Sequence, residues 1–121
     1  MQEILFHQEV EVWYLLPAIK REIAKFMKKT GMKQKDIAMK LHMTEAAVSN
    51  YMKEKRASEV KFDAGFSKDI ENAANQIIAK DSYVDEVEKL CRKFRSEKKL
   101  CKLHRKFSKI PLRCSTCGQS I

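Results

Sequence analysis

The apolar residues of segment 34–53 recur at the spacing of two short helices separated by a tight turn. The positions that form the two inner faces are Ile37, Ala38, Leu41, Ala47, Val48 and Tyr51. The small side chain of Ala38 allows the two helices to cross closely, and Thr44 has the chemistry of an N-cap for the second helix. The pattern therefore predicts a helix-turn-helix, a unit that lays its second helix in the major groove of DNA.

A bracing helix is predicted on the N-terminal side of this pair. Pro17 fits the first turn of that helix, where its missing N–H costs nothing, and Gly31 fits its C-cap. The apolar residues that recur at helical spacing between them are Ile19, Ile23, Phe26 and Met27. For residues 1–15, a weak alternation from Val10 to Trp13 leaves both a short strand and the entry of a helix open.

Two further helices are predicted after a loop at residues 54–66. The first is expected to begin at an N-cap on Ser67 and to end at Lys80, and the second to begin with a capping box formed by Ser82 and Asp85. The second helix carries an apolar stripe at alternating steps of four and three, interrupted by Glu97: Tyr83, Val87, Leu90, Phe94, Cys101 and His104. Such a stripe forms either intramolecular core or the seam of a dimer, and we expect a partly shared core.

These patterns predict an all-α chain with two parts. A helix-turn-helix DNA-binding domain is expected at residues 1–66, and a helical dimerisation region with a short cysteine-rich metal-binding tail at residues 67–121. The net charge of +9 favours a polyanionic partner, because neutralised phosphates release their counterions. No apolar run reaches the length of a membrane span, and the acidic N-terminus is unlike a signal peptide. We therefore expect a cytoplasmic protein without a membrane partner.

The polar face of the predicted helix pair supplies candidate DNA contacts. On the second helix, Asn50 suits an adenine edge, Lys53 a guanine or a phosphate, and Ala46 a thymine methyl group. The complete set of candidate DNA-binding residues is Lys33, Gln34, Lys35, Thr44, Glu45, Ala46, Ser49, Asn50, Lys53, Lys55 and Arg56. Of these, the residues at 33–35 are expected to grip the DNA backbone. The alternative interpretation is an ordinary helical hairpin with a solvated polar face.

The C-terminal cysteines are candidate metal ligands. Cys114 and Cys117 lie three positions apart and precede a glycine, which is typical of a knuckle that turns two thiolates towards one metal ion. Cys101 is the natural third ligand. Cys91 lies about 15 Å before Cys101 along a straight helix, so it reaches the same ion only if that helix breaks near residues 96–99.

The identity of the metal stays open at this level. Four Cys and His ligands, with His104 or Cys91 as the fourth, suit a tetrahedral structural zinc. Three thiolates suit an iron–sulfur cluster instead. A redox-active disulfide is the competing interpretation, and Cys91 is otherwise a buried thiol or an auxiliary redox cysteine.

The chain resembles the archaeal transcriptional regulators that join a Cro/Xre-type helix-turn-helix to a cysteine-bearing C-terminus. The segments that carry the resemblance are VEVWYLLPAIKREIAKFM, QKDIAMKLHMTEAAVSNYMKEKRA, LCKLH and CSTC. The resemblance implies a homodimeric regulator that binds a pseudo-palindromic operator in double-stranded DNA. In members of the FesR type it also implies an iron–sulfur cluster, 3Fe–4S or 4Fe–4S, on Cys101, Cys114 and Cys117 as a redox or iron sensor. Where these regulators usually carry a turn glycine, this chain has His42, which must then adopt a left-handed conformation.

Two other functions remain as alternatives. One is a DNA-binding regulator with a structural zinc and no sensing role. The other is a small thiol-redox or electron-transfer protein whose helical front half serves as a docking module. An enzyme is not expected, because His7, His42 and His104 share no recognisable spacing with a nucleophile and no glycine-rich loop can cradle a phosphate.

Overall fold

The computed structural model describes residues 6–53 and 60–97, together with Lys99 and Leu103. The regular elements of these residues are all helical, which confirms the all-α class for this part of the chain. They are α1 (His7–Val10), a π-helical segment (Glu11–Leu15), α2 (Leu16–Lys29), α3 (Gln34–Lys40), α4 (Glu45–Lys53), α5 (Ala64–Lys80) and α6 (Tyr83–Ser96). None of these helices combines the length and the apolar character that a membrane span requires.

The N-terminal part of the described chain is one continuous helix. Helix α1, the π-helical segment and α2 follow one another without a break, so the alternative left open by the sequence is decided in favour of a helix. The N–H of Leu16 donates to the carbonyl of Glu11, five residues earlier. This widened turn comes immediately before Pro17, whose ring would clash with the preceding turn of a regular α-helix. Pro17 therefore lies in the first turn of α2 as predicted, but inside a longer helical run.

Helices α2 and α3 end in the same backbone motif. The left-handed position is Gly31 after α2, with φ of 100°, and His42 after α3, with φ of 53°. In each case the N–H of the next residue donates to the carbonyl five residues earlier. Met32 donates to Met27 at 3.2 Å, and Met43 donates to Ala38 at 3.0 Å. The motif satisfies carbonyls that the end of a helix would otherwise leave unpaired. Both the predicted glycine cap and the predicted left-handed His42 are confirmed.

A single buried cluster joins the described helices around α2, which packs against α3, α4, α5 and α6. The large side chains that are fully buried in it are Val10, Leu15, Ile19, Ile23, Met27, Ile37, Leu41, Val48, Phe66 and Ile77. The inner faces predicted for the helix pair therefore contribute to this core. The predicted division after residue 66 lies inside α5, and residues on both sides of it belong to the same cluster.

Helix α5 begins earlier than predicted. Its N-cap is Asp63 rather than Ser67, and the Asp63 carboxylate accepts a hydrogen bond from the N–H of Phe66 at 2.8 Å. Lys99 Nζ also lies 2.9 Å from that carboxylate. The hydrogen bond from Phe66 and the nearby Lys99 hold the pKa of Asp63 below its usual range. Both Asp63 and Ser67 have cap chemistry, and the hydrogen bond from the Phe66 N–H to Asp63 identifies Asp63 as the cap. The first turn of the helix therefore includes Phe66, which is fully buried in the core.

Helix α6 begins where it was predicted, but without the predicted capping box. Ser82 occupies the N-cap position, yet its Oγ is buried and has no hydrogen-bond partner among the described residues. The helix ends at Ser96, and its apolar stripe lies against the rest of the same chain: Val87, Leu90 and Phe94 are buried without a second copy. This part of the stripe therefore belongs to the intramolecular core. The rest of the stripe, at Cys101 and His104, lies outside the described residues, so the sharing of the core with a second copy stays a prediction.

Candidate nucleic-acid interface

The side chain of Gln34 joins the beginnings of α3 and α4. Its Nε2 donates to the carbonyl of Glu45 at 2.8 Å and to Oγ of Ser49 at 3.3 Å. Because both hydrogen bonds cross between the two helices, they hold the first turns of α4 in a defined position beside α3. Gln34 was predicted as a contact to the DNA backbone, and its positioning role has no local sequence signal, because the partners lie 11 and 15 residues later.

The first turn of α4 is capped as the sequence predicted. The N–H of Ala47 donates to Oγ1 of Thr44 at 3.0 Å, which satisfies one of the donors that the start of a helix leaves unpaired. The carbonyl of Thr44 accepts the N–H of Val48 at 3.1 Å, so the helix continues directly from its cap. The direction of α4 is therefore set at its first residue.

The outer face of α4 is polar and accessible to solvent. The predicted residues that are exposed on it, or at its cap, are Thr44, Glu45, Ala46, Asn50 and Lys53. Lys33 and Lys35 are also exposed, beside the start of α3. Ser49 was expected to face outward, but it is half-buried because its hydroxyl lies against Gln34. Lys55 and Arg56 lie outside the described residues.

The last turns of α4 are held against α2. Lys20 Nζ donates to Oη of Tyr51 at 3.3 Å and lies 5.3 Å from the centroid of the Tyr51 ring. Val48, one turn earlier, is fully buried in the core. The sequence placed Tyr51 on the inner face correctly, but it did not reveal Lys20, which lies 31 residues earlier.

The turn between α3 and α4 contacts the joint between α5 and α6. Nε2 of His42 lies 3.5 Å from Oδ1 of Asp81, and the His42 ring centroid lies 6.3 Å from that of Tyr83. The helix pair is thereby held at three places: at Gln34, at Tyr51 and at His42. Its outer face is left free of these contacts and can approach a flat or grooved surface.

The structure describes one of the predicted metal ligands, Cys91. Its side chain is 5 % exposed, and burial, together with the nearby carboxylates of Glu11 and Glu88, raises the pKa of its thiol to about 12. The free thiol is therefore protonated at neutral pH. Cys91 is buried, as the sequence predicted, and its part as a possible fourth or auxiliary metal ligand stays a prediction.

The other predicted ligands, Cys101, His104, Cys114 and Cys117, lie outside the described residues. Within the described ranges, no three His, Cys, Asp or Glu side chains lie close enough together to hold a metal ion. Helix α6 ends at Ser96, which is the place where the chain had to break if residues on both sides were to approach one ion. The proposed metal site thus stays a prediction from the cysteine spacing.

No protein-family model, curated protein or solved structure matches this chain. The resemblance to archaeal regulators rests on the quoted sequence segments alone.

Proposed function

We propose that the protein binds double-stranded DNA in a sequence-specific manner, with the helix pair α3–α4 acting as a helix-turn-helix and α4 as its recognition helix. The observation that carries the proposal is the way α4 is held. Thr44 caps its start, Gln34 ties its first turns to α3, and Tyr51 ties its last turns to α2. Rigid support of a short helix with a free polar face is what reading base edges requires, because misplaced side chains lose their hydrogen bonds to the bases.

The chemistry of the exposed residues supports the same proposal. Asn50 lies in the middle of the free face of α4, where a side-chain amide can form two hydrogen bonds to adenine. Lys53, three residues after Asn50, is an exposed cation, and so are Lys33 and Lys35, which flank Gln34 in the chain. These three lysines would contact phosphates. The net charge of +9 adds a general attraction for DNA, which weakens as salt is added.

The test is to select bound duplexes from a random pool and to measure affinities for the selected site and for random DNA. We expect Asn50→Ala to cost about 1–3 kcal/mol at one base position while leaving binding to random DNA unchanged. Lys35→Ala should weaken both complexes alike and reduce the slope of log affinity against log salt by about 1. Asn72→Ala, an exposed amide on α5, is the matched control and should change neither. The proposal is contradicted if the protein selects no sequence. It is also contradicted if Asn50→Ala lowers the affinity for the selected site and for random DNA by the same factor.

We extend the proposal to a homodimer on a pseudo-palindromic operator. One recognition helix reads only a short half-site, and two copies must present their helices about 34 Å apart, or a multiple of it, along the duplex. The family resemblance supports this arrangement. Sedimentation of the free protein and a footprint with two-fold symmetry test it, and a monomer that protects a single half-site contradicts it.

The cysteine spacing supports a sensing role in the same regulator, through an iron–sulfur cluster held by Cys101, Cys114 and Cys117. Thiolate ligands suit such clusters, and the many cations of this segment suit a site of negative charge. The test is an ultraviolet–visible spectrum with iron, sulfide and zinc analysis on protein purified without oxygen. Brown protein that contains iron and sulfide supports sensing. Colourless protein with one zinc per chain makes the tail a structural clamp, and the sensing role then falls.

A further inference from the structure

A groove bounded by α2, α4 and α5 has the dimensions of a ligand site. Its volume is about 620 Å³, which lies within the range of roughly 300–1,000 Å³ that small-molecule sites occupy. Its apolar wall is formed by Phe26, Met52 and Ile70, one from each of the three helices. Phe26 and Met52 are only half-buried, so apolar surface remains available inside the groove.

The other wall of the groove is cationic. Arg21, Lys25, Lys28 and Lys29 line it from successive turns of α2, whereas the acidic residues among its described lining are Glu22 and Glu71. Glu22 lies 3.8 Å from Lys25, in an exposed pair that contributes little. The described lining therefore has an excess of positive charge next to an apolar surface.

Arg21 provides a second, independent observation. Its Nε is buried and has no hydrogen-bond partner among the described residues. A buried donor without an acceptor is unfavourable, and such a group usually marks a place where a water, an ion or a ligand belongs. Arg21 also lines the groove, so an anionic group there would pair with its guanidinium through the charge-assisted hydrogen bonds that this group forms best.

We propose that this groove binds a small amphipathic anion: a carboxylate, or a comparable acidic group, on a flexible aliphatic body. The acidic group would lie at Arg21 and Lys25, and the aliphatic body against Phe26, Met52 and Ile70. An inorganic anion lacks the body that covers the apolar wall, and a cationic amphiphile is repelled by the other wall. A molecule of the proposed class contacts the cationic wall through its acidic group and the apolar wall through its aliphatic body.

The binding test is calorimetric titration of the full chain, without DNA, with sodium decanoate below its critical micelle concentration. We expect saturable binding of one decanoate per chain, no measurable binding of acetate, and binding of decyltrimethylammonium at least about tenfold weaker. Absence of saturable decanoate binding overturns the proposal. Equal binding of the cationic amphiphile overturns it as well, as does a preference for vesicles of anionic phospholipid over dissolved decanoate.

Variants locate the site. Arg21→Gln and Met52→Gln should each weaken decanoate binding about tenfold, through loss of the charged hydrogen bond and of the apolar contact respectively. The matched controls are Lys89→Gln on α6 and Met39→Gln on α3, both of them exposed and outside the groove, and they should leave the affinity unchanged. Lys25→Gln replaces Arg21→Gln if that variant does not fold. If the control variants lose as much affinity for decanoate as the groove variants do, the assignment of the binding site to this groove is contradicted. Because no DNA is present, this result is separate from the outcome for operator binding.

Discussion

Two residues that are not glycine, His42 and Asp81, adopt the left-handed conformation, each with φ of 53°. Histidine and aspartate enter this region more readily than most residues, but it still costs an L-residue about 1–2 kcal/mol. The two side chains lie against each other, with His42 Nε2 3.5 Å from Asp81 Oδ1. The turn before α4 therefore lies against the joint before α6, and the His42 ring also lies 6.3 Å from that of Tyr83. Because the side chains of His42 and Asp81 are both exposed, their pairing contributes little to stability by itself.

Cys91 gives a prediction at the same scale. Burial raises the pKa of its thiol to about 12, whereas a cysteine in an unfolded chain titrates near 8.5. The unfolded state therefore loses its proton first as the pH rises, and the Cys91 contribution to stability should decline from about pH 8.5 upward. Iodoacetamide should leave Cys91 unlabelled in the folded protein at pH 8.5 and label it in concentrated guanidinium, as read by peptide mass spectrometry.

The comparison for this experiment is Ser96→Cys, which puts a thiol at an exposed position on the same helix. Its thiol should be labelled rapidly in the folded protein. Labelling of Cys91 at the same rate as that thiol would show that the Cys91 side chain is not held in the core.

At the scale of the elements, the short helices depend on their ends. Helix α4 has nine residues, fewer than an isolated helix needs to form in water. Its stability comes from the Thr44 cap, from the hydrogen bonds of Gln34 and from the packing of Val48 against the core. Ala46, Asn50 and Lys53 take no part in these supports, so substitutions at these three positions should leave the protein folded.

A pair of glycine substitutions tests the end of α2 against the start of α5. Gly31 has φ of 100°, and a Cβ added there would meet no atom within 4 Å, so Gly31→Ala should cost about 1–2 kcal/mol through backbone conformation alone. Gly65 lies in the first turn of α5, where an added Cβ would meet Asp63 Oδ1 at 3.5 Å, an ordinary contact. Gly65→Ala should therefore be neutral or stabilise by up to about 1 kcal/mol. Urea unfolding of both variants measures this, and a loss of equal size at both glycines would contradict the backbone argument.

At the scale of the whole molecule, contacts between residues far apart in the sequence hold the helices together. Arg95 of α6 donates from Nη2 to Oε1 of Glu11 in the π-helical segment at 2.9 Å, across 84 positions. Phe94 packs its ring 5.2 Å from that of Phe66, between α6 and α5. The described helices therefore share one core, and we expect them to unfold together.

Phe94→Leu tests this expectation. It should lower the free energy of unfolding by about 1–2 kcal/mol, because it removes ring contacts from the core. The urea midpoints read from the fluorescence of Trp13, the one tryptophan of the chain, and from helical circular dichroism should fall by the same amount. Val84→Ala, at a position 67 % exposed on the same helix, should shift neither midpoint measurably. A Trp13 transition that stays in place while the circular dichroism moves would mean that the N-terminal helices fold on their own.

The sequence by itself determined the features that depend on neighbouring residues. Helical spacing identified the inner faces of α3 and α4, because residues three and four apart share a face whatever the rest of the chain does. Cap chemistry identified Thr44 and Gly31, and the missing turn glycine predicted the backbone of His42. Each of these needs only the geometry of one helix and its ends.

The tertiary structure decided everything that depends on distant partners. It made the N-terminal segment helical, because Val10 and Leu15 are fully buried there. It moved the start of α5 to Asp63, because Phe66 packs against Phe94, and it covered the stripe of α6 with the chain's own helices. It also set the partners of Gln34 and the protonation of Cys91. A periodic apolar face indicates that the face is buried. The sequence pattern does not identify the segment that packs against it, because that depends on which distant segments the whole fold brings together.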